Sequence, residues 1–339
     1  MKKILLFPLV LLLMFTLYAC NDNDESEHTI YVTSYPVMFI LESLSEGIAD
    51  VRYVPGSQQH GESIDWAAQD IIAMQDADFL FYVGGGLDPY IDSNMTSTFE
   101  GEQVNMVKLE DYINYIDVKL IHDHDDHNDH DDHNDHDDHN DHDDHNDHDD
   151  HDDEDIEEMP DPHFWLDPNR MIEASEIVYD YLKDYYEEES QQNILDNNYV
   201  KLSKQLEKLL DDYNETLDNP QTPLITNVKL FTYFERAFDV EIYPFTLNSH
   251  AHEDESIPTD YEAFIELAQD YDIQYVIFEK NAASPAGETL LSELRDVRDF
   301  TERLELHPLE RLTNDELIMN HNYITIMYEN LETLEMATE

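Results

Sequence analysis

Apolar residues recur along this chain in two alternating rhythms. Short runs rich in β-branched and aromatic residues are spaced as strands. They are followed by stretches whose apolar residues lie three and four apart, as in helices. In the first part, residues 28–34 (HTIYVTS), 51–54, 78–83 (DFLFYV) and 104–109 read as strands. Residues 37–44 and 65–75 read as helices, the second with Ile71, Ile72 and Met74 on its inner face. Gly84-Gly85-Gly86 has neither the GxGxxG nor the GxxxxGK[ST] spacing of a phosphate loop, so it predicts a plain strand-to-helix turn. From 171 to 217 no Gly or Pro interrupts the chain, and Leu202, Leu206, Leu209 and Leu210 keep helical spacing. One or two long helices are expected there, ended by Asn219-Pro220. The alternation then resumes, with strands at 224–228, 240–245, 275–279 and 304–309. Helices are expected at 231–237, 261–271, 288–297 and 323–336.

Strands separated by helices imply parallel sheets. The pattern therefore predicts an α/β protein of two lobes, each a mostly parallel sheet flanked by helices, joined by a long backbone helix. The expected division is a first lobe at 28–170, a helical linker at 171–219 and a second lobe at 220–339. A ligand pocket in this arrangement belongs between the lobes, at the carboxyl ends of the strands.

The first 27 residues do not fit that rhythm. Lys2 and Lys3 precede an apolar run, 4–18, that is short for a membrane span and right for a signal-peptide core. It ends in Leu17-Tyr18-Ala19-Cys20, which is similar to a bacterial lipobox with a bulkier residue at Tyr18. Cys20 is the chain's one cysteine and so cannot form an internal disulfide. The expectation is a lipidated Cys20, a flexible tether at 21–27, and an extracytoplasmic body held to the cell membrane by its lipid.

Charge sharpens the picture. The net charge is −63, which excludes nucleic-acid binding, since that needs clustered Lys and Arg. Nineteen of the acidic residues lie in one run, 122–155, together with 11 of the 18 histidines. Residues 123–146 are four perfect copies of DHDDHN, and a fifth ends in Asp152. With no apolar side chain, the run is expected to be a disordered loop. Its imidazoles suit zinc and its neighbours among the transition metals. The letters HxHxDH at its start match a metallohydrolase motif, but a low-complexity repeat cannot fix ligands with a second shell. The run therefore reads as a collector of metal beside a site made elsewhere.

Three residues stand where such a site would be. His60 follows the second strand, His163 lies in Pro162-His163-Phe164-Trp165-Leu166-Asp167-Pro168 directly after the run, and Glu279 ends the strand YVIFE. No HExxH is present, and no second carboxylate is spaced to act as a general base, so an enzyme is not expected.

The block PHFWLDP after a His-rich run resembles the zinc/manganese (cluster A-I) solute-binding lipoproteins of ABC transporters. TSYPVMFILESLSEGIADV, DADFLFYVGGGLDPYI and the C-terminal LHPLERLTNDE and NYITIMYENLETL agree, the last two being most similar to the Gram-positive zinc receptors. The likeness runs over 28–338. It implies a monomeric receptor that captures Zn2+ and delivers it to an ABC permease, with a Mn2+ or Fe2+ receptor, or a surface adhesin or metal store, as alternatives. It also implies metal ligands at His60, His163 and Glu279. The family's remaining ligand, a His three residues before the F-x-Y-F pattern, falls on Val228, which cannot bind metal. His250 and His252, in the second-lobe stretch LNSHAHEDESIP, are the candidate replacements, ahead of water and of the Asn227 amide.

Overall fold

The computed structural model describes residues 28–58, 64–121, 156–246, 261–297 and 301–339. Two four-stranded sheets dominate it. The first has strands β1 (Thr29–Val32), β2 (Asp50–Tyr53), β3 (Phe79–Tyr82) and β4 (Asn105–Lys108), in the order β2-β1-β3-β4. A short hairpin, β5 (Ile116–Ile121) and β6 (Ile156–Asp161), follows. The second sheet has β7 (Leu224–Thr226), β8 (Ile242–Pro244), β9 (Tyr275–Glu279) and β10 (Glu302–Leu306), in the order β10-β9-β7-β8. Every neighbouring pair within the two four-stranded sheets is parallel. Read from its first strand, each sheet has the same order, 2-1-3-4, so the two halves of the chain share one topology. The α/β architecture expected from the hydrophobic rhythm is the one observed.

That order matters for placement. In a parallel sheet the connections change direction between the first and third strands, and a crevice opens at their carboxyl ends. The crevice of the first lobe lies past Val32 and Tyr82. That of the second lobe lies past Thr226 and Glu279.

Between the sheets run helix Pro168–Tyr185 and the 28-residue helix Glu189–Thr216. Asp167 caps the first of them by accepting from the Asn169 N–H at 2.9 Å, with Pro168 at the position where a missing N–H costs nothing. Leu195, Leu202, Leu206, Leu209 and Tyr213 line the inner face of the long helix. Leu210 is only half-buried, because the 3.6-residue period rotates it off the stripe. The long helix joins a continuous core with both lobes, from Ile30 and Leu41 to Ile326 and Leu334. The last helix, Tyr323–Thr338, ties the ends together. Its Met327 carbonyl accepts from the Tyr213 hydroxyl at 2.6 Å, and its Tyr323 hydroxyl donates to the Trp165 carbonyl at 2.7 Å. No described helix is long and apolar enough to cross a membrane.

Two expectations need correction. Helix Ala68–Gln75 buries Met74 alone, and Ile72 is 57% exposed. The helix is short and peripheral, so only one of its apolar positions reaches the core. The hairpin β5–β6 was not expected, because IEEMPD shows no apolar alternation. Glycines 84–86 do form a strand-to-helix turn, all three with positive φ, leading to helix Pro89–Asn94. A Cβ on Gly85 would lie 3.1 Å from Pro162, so this turn packs against the segment that carries His163.

Candidate metal site

His163 sits between β6 and a short 3-10 turn, Phe164–Leu166. It is 3% exposed. Its Nδ1 lies 2.6 Å from Asp161 Oδ1, and its backbone N–H donates to the same oxygen at 3.0 Å. The Asp161 carbonyl is held in turn by the Tyr233 hydroxyl of the second lobe at 2.7 Å. A carboxylate on Nδ1 fixes the ring and leaves Nε2 facing the second lobe, an arrangement also used to orient metal-binding histidines. Trp165 packs edge-on to the ring, with centroids 5.2 Å apart, and donates its indole N–H to the Pro308 carbonyl at 2.8 Å. The aromatic block after His163 thus anchors the histidine to the second lobe.

Glu279 ends β9 at the crevice of the second lobe and is 6% exposed. Its position is set by Asn227, the residue after β7. The Asn227 Oδ1 accepts the Glu279 N–H at 2.8 Å, and the Asn227 N–H donates to the Ile277 carbonyl at 2.9 Å. The amide oxygen of Asn227 is therefore committed to bracing the β7–β9 junction and is not a spare donor for a metal. Val228 is fully buried in the core, just before the turn Lys229–Phe231.

A residue the sequence reading passed over completes the picture. Glu310, in the loop after β10, brings Oε1 to 3.2 Å from His163 Nε2. Its loop is docked on the first lobe at several points. The Glu310 carbonyl accepts from the Tyr35 N–H at 3.2 Å, and Arg311 donates to the Gln58 carbonyl at 3.3 Å. Behind the loop, His307 Nδ1 accepts from the Leu309 N–H at 2.8 Å, with Leu309 in the left-handed region at φ 63°. The ring's Nε2 faces Glu316 Oε1 at 3.2 Å. Burial lowers the His307 pKa and keeps the ring neutral. The Glu316 carboxyl accepts from the Thr313 N–H and hydroxyl, both at 2.8 Å, closing a capping box on helix Asn314–Ile318.

The geometry thus brings His163 and Glu310 together, with Glu279 at the neighbouring strand end. His163, Glu279 and Glu310 each make further interactions as well. Among the described residues, no three His, Cys, Asp or Glu side chains converge closely enough to hold a metal ion. His60, His250, His252 and Cys20 lie outside the described residues. Glu310 stands inside a legible motif, LHPLERLTNDE, and Asp161 directly before another, PHFWLDP, but nothing in the letters says which polar residues there turn toward the cleft.

Fold and site together define a two-lobed α/β protein with Glu279 at the switch point of its second sheet and His163 meeting Glu310 where the lobes touch. The family profile described as "Zinc-uptake complex component A periplasmic" (ZnuA) matches residues 30–337. The chain belongs to this family. It is 26% identical over 354 residues to the "Zinc-binding protein AdcA" of Streptococcus pyogenes serotype M6, and 24% identical over 351 residues to the "Zinc-binding lipoprotein AdcA" of Streptococcus pneumoniae R6. All of this chain is covered in both cases, and it spans 62% of the length of these relatives. The crystal structure of the Zn(II)-bound ZnuA-like domain of Streptococcus pneumoniae AdcA superposes with a TM-score of 0.66 at 20% identity, covering 92% of this chain and 98% of that domain. The metal-dependent lipoprotein YcdH of Bacillus subtilis gives 0.68 at 19% identity, covering 92% and 99%.

Proposed function

We propose that this chain is an extracytoplasmic receptor that captures Zn2+ and hands it to an ABC importer through the importer's permease. The observation that carries this reading is His163. It is buried, its Nδ1 is engaged by Asp161, and its Nε2 faces Glu310 of the second lobe at 3.2 Å, while Glu279 ends strand β9 of that lobe. A carboxylate on the far ring nitrogen is the support that metal-binding histidines use, which favours the ligand reading. Membership of the zinc-uptake family and the zinc-binding relatives support zinc as the cargo. In this reading His60, His163 and Glu279 are ligands, and the remaining donor comes from the second lobe, where His250 and His252 are the histidines in reach of the sequence argument. Cys20 carries the lipid that holds the protein at the membrane, and the receptor works as a monomer.

The acidic histidine run 122–155 serves as a local metal reservoir, raising the concentration of zinc near the cleft through many weak sites. An ordinary imidazole titrates near pH 6.5. Protonation competes with metal, so capture by the run fades below about pH 6.

Zinc titration in competition with a tight chromophoric chelator tests the reading, because only a high-affinity site registers. One such site is expected, lost in His163→Ala and weakened at least tenfold in Glu279→Gln. A wild-type chain without this site, or one that binds manganese in preference under anaerobic titration, refutes zinc capture. Replacement of 122–155 by a short turn should slow zinc uptake in cells starved of zinc. Unchanged uptake would remove the reservoir role.

A further inference from the structure

The geometry points to Glu310 as a direct ligand of the captured ion, supplying the donor that Val228 cannot. This inference rests on the zinc-receptor reading and names one of its ligands. Because Asp161 engages Nδ1 of His163, Nε2 is the ring nitrogen that would bind a metal once its proton is displaced. It faces a carboxylate oxygen of Glu310 at 3.2 Å. A contact at that distance needs positive charge between the two atoms, either a proton on Nε2 in the empty receptor or a metal ion that replaces it. The separation also fits zinc itself. With Zn–N of about 2.0–2.1 Å and Zn–O of about 2.0–2.2 Å, neighbouring ligand atoms in a tetrahedron stand roughly 3.3 Å apart. The spacing of His163 Nε2 and Glu310 Oε1 thus matches one edge of a zinc tetrahedron, so an ion could take the place of the proton between them with little movement.

The loop that carries Glu310 is built to hold it there. The Trp165 indole N–H grips the Pro308 carbonyl, and the Tyr35 N–H grips the Glu310 carbonyl, so both sides of the residue are pinned to the first lobe. The left-handed Leu309 turns the chain between these two anchors, and the buried His307 ring accepts its N–H. The Glu310 side chain is itself only 12% exposed. Opposite, Val228 offers no donor and is packed into the core. A second carboxylate beside Glu279 would also balance the charge of a divalent ion, which a third imidazole would not.

Glu310→Gln separates the roles, because the amide keeps the shape and can still meet the ring, but not as an anionic ligand. The full chain is titrated with zinc against a tight chelator, and the cobalt-substituted protein is read by its visible d–d spectrum, which reports the ligand set. The expected result is an affinity lowered at least tenfold together with a changed cobalt spectrum, the metal-free melting temperature being unaltered. Weaker binding with an unchanged cobalt spectrum would make Glu310 a brace for His163 and overturn the proposal. So would unchanged binding in Glu310→Gln alongside loss in His163→Ala, a result that leaves the zinc-receptor reading standing. Loss of neither would overturn both. A cobalt spectrum altered in His250→Ala/His252→Ala but not in Glu310→Gln assigns the donor to those histidines instead.

Discussion

Glu316 is the clearest single case of a charge whose value depends on its neighbours. Burial pushes its carboxyl up, but the Thr313 N–H and hydroxyl and the His307 ring more than reverse this and hold it at about 2, against an ordinary 4.5. A carboxyl whose folded pKa is depressed contributes stability that is fully present above its unfolded pKa and lost as pH falls toward the folded one. His307 has the same sign, since its folded pKa lies below 6.5 and charging the buried ring opposes folding. Acid lability should therefore begin below about pH 6.5 and steepen below 4.5. In urea unfolding, the deficit of Glu316→Gln relative to wild type should be constant above pH 5 and close as the pH falls from 4.5 toward 2. A deficit that stays the same across that window would mean Glu316 acts by shape alone. These two residues support the loop of Glu310, so the same acid window should loosen the cleft.

The strand ends owe their positions to contacts between elements. Helix Pro285–Val297 lies so close to β9 that a Cβ on Gly287 would stand 2.7 Å from the Phe278 ring and 2.7 Å from Ser284 Oγ. Phe278 is fully buried and immediately precedes Glu279, so nothing there can yield cheaply. Gly287→Ala should cost about 1–3 kcal/mol in urea unfolding, and zinc affinity should fall with it as Glu279 shifts. A neutral substitution would show that the helix can retreat without moving the strand. Most of these elements were readable in advance. Strand β9 is where YVIFE placed it, and the two long helices follow from an uninterrupted run without Gly or Pro. The hairpin β5–β6 was not readable, because its pairing is non-local and its second strand, IEEMPD, lacks apolar alternation.

That hairpin explains how the protein tolerates its most unusual segment. Ile121 and Ile156, the residues flanking the histidine run, are direct register partners in an antiparallel pair. The 34 residues between them therefore leave and return at one point, about 5 Å apart. The cost of closing a loop grows only slowly with its length, at about 0.6 kcal/mol per doubling. Repeats can accumulate there without disturbing either lobe. β6 then leads from the run to Asp161 and His163, a six-residue strand of roughly 20 Å. Replacing 122–155 with a two-residue turn should leave the melting temperature of the metal-free protein within about 3 °C and the high-affinity zinc site intact. A large loss of stability would mean the run takes part in the fold.

Periodicity determined the two α/β lobes and the long helices, and strand-end position together with the family resemblance made His163 and Glu279 ligand candidates. These signals are local: a 3.6 or 2.0 period, a strand end, a motif of seven letters. The partners of those candidates were settled by folding. Asp161 and Glu310 belong to one arrangement with His163 although 147 residues separate the last two, and Asn227 turned from a possible donor into a brace. Which of 80 acidic residues faces an imidazole depends on how two sheets and one docked loop meet. Packing of parts distant in the chain decides that, and no local pattern encodes it.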